Sequence, residues 1–143
     1  MVAFTKLNGF VEHLAEGVHN LGSGQLVVAL SNTAGDITTL NGSTSACVLA
    51  NLSAFTYTNL SSRNVTTSSS SQTSGTYSLV TTDLVLTSSG GSTGPLRYVF
   101  LYNDTPTSPA DPMIGYYDYG SSITLADTET LTIDFGSSTL TLA

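Results

Sequence analysis

Gly94-Pro95-Leu96-Arg97-Tyr98-Val99-Phe100-Leu101-Tyr102-Asn103-Asp104 is the stretch that decides the fold. From Leu96 to Tyr102 every residue except Arg97 is apolar or aromatic. Such side chains suit a pleated strand, and the run is too short for a typical buried helix. Pro95 sits where a strand can begin, and Asn103-Asp104 supplies a turn signal at the other end. Strict alternation puts Leu96, Tyr98, Phe100 and Tyr102 on one face and Val99 and Leu101 on the other. A strand that is apolar on both faces has to be covered on both, so it belongs at the centre of the fold.

The neighbouring segments read as strands built around it. Thr76 to Thr87 is a long strand with a phase change. Tyr77 and Leu79 share one parity, Leu84 and Leu86 the other, and a bulge near Thr81 to Asp83 reconciles them. Ser88 to Gly94 is a flexible turn that returns the chain antiparallel into the central strand. Pro106, Pro109 and Pro112 interrupt regular structure before a further strand, Met113 to Tyr119, in which Gly115 marks a bend. Leu131, Ile133 and Phe135 alternate with polar residues, and Leu140 and Leu142 finish as an edge strand.

Upstream, Gln25 to Ser31 is the first strand. Ile37 to Leu40 reads as a short strand that Asn41-Gly42 turns back onto Ala46 to Leu49. Phe55 and Tyr57 alternate as a half-buried strand. Many short strands divided by turn residues predict a mainly β protein, an antiparallel β-sandwich or open barrel. At 143 residues the chain is the size of one domain, 1–143.

Two segments depart from the strand pattern. Leu7, Phe10, Val11, Leu14, Val18 and Leu21 mark one apolar face of an N-terminal amphipathic helix over about 5–21, ended by Gly22. The other segment, 61–75 (SSRNVTTSSSSQTSG), is low in complexity, with Val65 as its one core-forming residue. It reads as a flexible surface loop, or an arm that orders against a neighbouring subunit.

Charge excludes several classes. Only 9% of residues are charged, against about 25% in typical proteins, and Ser and Thr supply the polarity instead. A net charge of −7 with three basic residues leaves no basic patch for nucleic acid and disfavours an anionic membrane surface. No stretch approaches the ~20 apolar residues of a membrane span. The first residues, Met1 to Lys6, lack the apolar region of a secretory signal. Cys47 is the sole cysteine, flanked by Ala46 and Val48, and reads as a small buried hydrophobe.

Catalytic constellations are thin. His13 and His19 lie six residues apart, about 240° around a helix, and so read as surface histidines facing different ways. Two of the aspartates after Arg97 suit a shared calcium ion only if their loops converge, and no D-x-D-x-D-G loop is present. No catalytic residue, cofactor or metal is expected, and the protein reads as non-enzymatic. Tyr98, Tyr102, Tyr116, Tyr117 and Tyr119 offer either strand packing or a flat surface for sugar or protein. Arg97 inside the central strand is expected to pair with a carboxylate such as Asp118, or to reach an interface. The residues singled out for an interface are Arg63, Asn64, Val65, Arg97, Tyr116 and Tyr117.

Two blocks of sequence carry a resemblance. One is Phe10 to Gly22 with Leu26 to Thr33. The other runs through Ser70 to Tyr77, Gly94 to Thr105, Ile114 to Gly120 and Leu125 to Phe135. Together they resemble a family of small structural proteins of tailed bacteriophages. The role this implies is a head decoration, or cement, protein on the outer surface of the virion head, made in the host cytoplasm. The partners it implies are the major capsid protein and copies of itself, as a homotrimer at three-fold lattice positions. A tail or fibre component, including a carbohydrate-binding adhesin that uses the tyrosines, is the alternative. Asn41 to Thr67 departs from the family pattern.

Overall fold

A computed structural model describes residues 2–143. Ten strands and two short helices follow in chain order. They are β1 (Thr5–Lys6), α1 (Asn8–Ala15), β2 (Leu26–Ser31), α2 (Gly35–Leu40), β3 (Asn64–Val65), β4 (Thr67–Thr73) and β5 (Thr76–Thr81). β6 (Leu84–Thr87), β7 (Thr93–Asn103), β8 (Met113–Leu125), β9 (Thr130–Ile133) and β10 (Leu140–Leu142) complete the chain. The fold is mainly β, with antiparallel sheets packed on one another as a sandwich. The main sheet runs β1-β8-β7-β2-β3. A three-stranded sheet β10-β5-β4 and a two-stranded sheet β6-β9 form the facing layer.

The central strand is β7, and both its faces are covered. On one side Val99 and Leu101 join Leu26, Val28 and Leu30 of β2 against Leu79, Leu86 and Leu140 of the facing layer. On the other, Tyr98, Phe100 and Tyr102 join Val27 and Ala29 against Leu7, Leu40 and Cys47. Leu96 sits with the first group, not with Tyr98 as strict alternation implies. A register shift between Leu96 and Tyr98, set against β8, turns it to the other face.

The phase change in 76–87 is real, but it is not a bulge. The chain breaks at Thr82-Asp83 and changes sheets, so that β5 pairs with β4 and β10 while β6 pairs with β9. Asp83 marks the crossing by accepting a hydrogen bond from the Phe135 amide at 3.0 Å. The turn after β6 accordingly leads into β7 in a different layer. Both parities bury apolar residues because each half belongs to its own sheet.

Four expectations upstream are corrected. Ile37 to Leu40 is helix α2, not a strand. Asn41 is its C-cap, donating its amide to the Ile37 carbonyl, so the Asn-Gly pair ends a helix rather than turning a hairpin. Ala46 to Leu49 contributes only an isolated bridge, Val48 to Pro112, before a 3-10 turn at Leu49–Asn51. Phe55 and Tyr57 are half-buried between exposed neighbours, as the alternation implies, but their segment is in no sheet. Residues 61–75 are not an unstructured loop. They form β3, β4 and a tight Ser74-Gly75 turn with positive φ at both residues, the geometry that suits a two-residue hairpin.

The N-terminal helix is also shorter than 5–21. Thr5–Lys6 is a strand on the edge of β8, and α1 ends at Ala15. The Val18 amide reaches the His13 carbonyl at 2.8 Å and the Gly17 amide reaches that of Leu14 at 3.2 Å. With Gly17 at φ +79°, this is the Schellman arrangement that stops a helix on glycine. Gly17 therefore takes the role expected of Gly22.

Gly115 is where β1 crosses closest to β8. A Cβ there would overlap the Phe4 ring and the Thr5 carbonyl oxygen. Overpacking of this kind costs about 1–3 kcal/mol. Gly115→Ala is expected to lower unfolding free energy by about that amount and to free the segment before α1, read by chemical denaturation and by amide exchange at Thr5 and Lys6.

Candidate functional site

Among the described residues the candidate site is taken from the sheet margins, where open strand edges lie. The outer edge of β2 is closed by side chains. β3 pairs only with Leu26 and Val27. Beyond that, the Val28 amide donates to the Arg63 carbonyl at 2.9 Å, and the Arg63 guanidinium donates back to the Val28 carbonyl. The Leu30 amide donates to the Tyr57 hydroxyl at 2.9 Å. Arg63 lies over the Tyr57 ring, 3.8 Å from its centroid, which locks the two together by cation–π attraction. Burial pushes the Tyr57 hydroxyl above its usual pKa, against the opposing pull of the Leu30 bond and the Arg63 charge.

The interface residues named from sequence are thus split up. Arg63 is engaged in closing β2, Asn64 is exposed, and Val65 is buried in the main core. Arg97 pairs with Asp118 as expected. The contact is bidentate, Nε to Oδ1 at 2.8 Å and a terminal nitrogen to Oδ2 at 2.9 Å. Arg97 holds the Asp118 carboxyl below its usual range, helped by the Gly120 amide. Both side chains are over a third exposed, so the pair is a solvent-facing brace between β7 and β8, not a buried charge.

The tyrosines do not assemble one surface. Tyr98 and Tyr102 are buried. Tyr116 and Tyr117 are adjacent in β8 and turn to opposite faces. Tyr116 stacks on Phe100, while Tyr117 lies between Phe4 and Phe135. Burial, then the charges of Asp134 and Asp83, push the Tyr117 hydroxyl up to about 12. Tyr119 alone is exposed, beside a small apolar pocket of about 180 Å³ lined by Val2, Val99, Leu131 and Ile133.

One polar cluster escaped the sequence reading, and one convergence of carboxylates that it raised is present. Asp36 is buried in α2 and accepts hydrogen bonds from the Ser31 hydroxyl and from the Ser53 hydroxyl at 2.7 Å, tying the second core layer to β2. Asp104 and Asp111 do converge, and burial, then the neighbouring Asp104, raises the Asp111 pKa. Among the described residues no group of three or more His, Cys, Asp or Glu side chains is gathered as a metal would need. Burial raises the Cys47 thiol to about 11, in keeping with its packing role.

The histidines are the sharpest correction, because both are buried. Their rings lie 6.0 Å apart, and His19 also stacks against Phe10 at 5.1 Å. The rotation argument fails because the helix stops between them and the Gly17 turn folds His19 back. Burial, then the proximity of His13, lowers the His19 pKa to about 4.

No family model, no curated protein and no solved structure matches this chain.

The His19 shift sets a pH dependence. Above pH ~6.5 neither the folded nor the unfolded imidazole is charged and the shift has no effect. Below that, the unfolded chain takes up a proton that the fold refuses, so stability falls until about pH 4 and then levels. The expected loss is roughly 2–3 kcal/mol across the window. Asp111, whose pKa is raised, acts in the opposite sense as it titrates. Denaturant titrations from pH 7.5 to 4 test this, and His19→Phe should flatten the profile; an unchanged slope in that variant would show that His19 is not the cause.

Proposed function

We propose that this chain is a head decoration protein of a tailed bacteriophage, one that binds the outside of the capsid lattice and stabilises it. One observation carries the reading: the sequence blocks that resemble phage virion proteins. In the folded chain two of these segments, Gly94 to Thr105 and Ile114 to Gly120, lie side by side in β7 and β8. The resemblance thus falls on the framework of the sandwich.

Physical features support the same reading. Decoration requires a stable body with polar margins that grip neighbours, and binding is then the whole function. The sandwich has two extensive cores and strand edges rich in Ser and Thr. Extended edges of this kind recruit partner strands through main-chain hydrogen bonds. The net charge of −7 favours a capsid surface with basic groups and speeds the encounter. On the shell, three copies gather at each three-fold position and contact the major capsid protein beneath. The competing adhesin reading has less support, since its tyrosine surface is dispersed between two cores and opposite faces.

Purified protein mixed with undecorated heads should add density to the outer shell at three-fold positions, seen by cryo-electron microscopy. The treated heads should also survive higher temperature than bare ones. Bare shells at saturating protein would overturn the proposal.

A further inference from the structure

We infer that the free edge of β4 is a docking site for β4 of a second copy, the two strands running antiparallel across a two-fold axis. The proposal rests on the geometry of this edge. It extends the decoration reading by naming one of the partners.

β4 is the outermost strand of the sheet β10-β5-β4, and no described strand lies beyond it. Six of its seven residues are exposed. Its partner side is fixed by the hairpin. Thr73 faces Thr76 across the two-residue Ser74-Gly75 turn, so that pair exchanges hydrogen bonds, and so does every second pair along the ladder. Ser71 therefore bonds to β5, while Ser70 and Gln72 direct their backbone N–H and C=O groups outward. A strand laid alongside finds a regular row of donors and acceptors.

The edges of the main sheet are managed differently. On β2 the open edge is closed by the Arg63 guanidinium and the Tyr57 hydroxyl. The β1 edge is two residues long and carries Lys6. β4 has no charge and no proline, and among the described residues no side chain hydrogen-bonds to the outward backbone groups of Ser70 and Gln72. Its single irregularity lies at the Thr67/Ser69 end. An uncovered, unguarded edge is the form that accepts another strand.

The lack of charge on β4 admits a second copy of the same acidic chain. From Asn64 to Thr82 the sequence has no charged residue, in a chain whose net charge is −7. β4 meeting β4 brings together only Ser, Thr and Gln, so the self-pairing meets no like-charge repulsion at the contact. An antiparallel self-pairing is also self-complementary, as a two-fold contact must be. The outcome is one six-stranded sheet, β10-β5-β4 continued into its mate. On a shell this contact joins copies belonging to neighbouring three-fold clusters.

Proline at Ser70 tests the idea, because its missing N–H is one that points outward and leaves the β4–β5 ladder intact. Light scattering coupled to size exclusion, over micromolar to millimolar protein, should show a monomer–dimer equilibrium for the unmodified chain. Ser70→Pro should raise the dimer dissociation constant by at least about tenfold, equivalent to about 1.4 kcal/mol. A second pair of variants guards against misfolding. Ser69→Lys/Ser71→Lys and Ser69→Glu/Ser71→Glu place charge on the exposed face of β4 and should each be monomeric, yet form a mixed dimer when combined. A monomer throughout the range, a trimer, or a dimer indifferent to all of these changes would overturn the inference. The shell-binding assay is scored separately. Ser70→Pro that still decorates heads leaves the decoration reading standing, and an unmodified dimer that fails to decorate sinks that reading alone.

Discussion

A strand that is apolar on both faces cannot lie on a surface, and the rest of this structure follows from that constraint. Val99 and Leu101 need one cover and Tyr98, Phe100 and Tyr102 need another. The facing layer of sheets supplies the first. Leu7, α2 and the segment around Cys47 supply the second. Each fully buried large side chain is worth about 1.5–3 kcal/mol relative to exposure, so five on one strand outweigh any local preference that competes with them. The helical turn at Gly35–Leu40 is one result: Leu40 is delivered to the second core by a helix although the segment reads locally as a strand.

Two layers against one central sheet leave edges to manage, and the polar residues divide along that line. Arg63 and Tyr57 close β2, Arg97 and Asp118 brace β7 to β8, and Asp36 ties the second layer in place. None of these groups is free for chemistry. Of the three basic residues, two are committed to structure, Arg63 on the edge of β2 and Arg97 against Asp118.

The candidate site was legible only in part. Arg97 with Asp118 could be foreseen because a charge in an apolar strand demands a partner, and β8 supplies one nearby. Val65 was named for an interface, yet it was also the single apolar residue in its segment, and the core claimed it. Arg63 looked like an interface residue because its partner is a main-chain carbonyl on β2, which has no signature in sequence. The histidines misled for a related reason. Their separation was measured along a helix that Gly17 ends halfway, so two residues assigned to different faces meet in the interior.

By itself the sequence determined the β class, the place of the central strand, the break in side-chain phase near Asp83 and the scarcity of ionic chemistry. These depend on composition and on side-chain period, which are local properties. Only the tertiary structure decided which strands share a sheet, that the Ser/Thr-rich segment is a strand, and which edges stay open. A polar strand such as Thr67–Thr73 buries almost nothing of its own, so no hydrophobic pattern announces it. It exists because β5 offers a ladder of hydrogen bonds, and that template is made by residues distant in the chain.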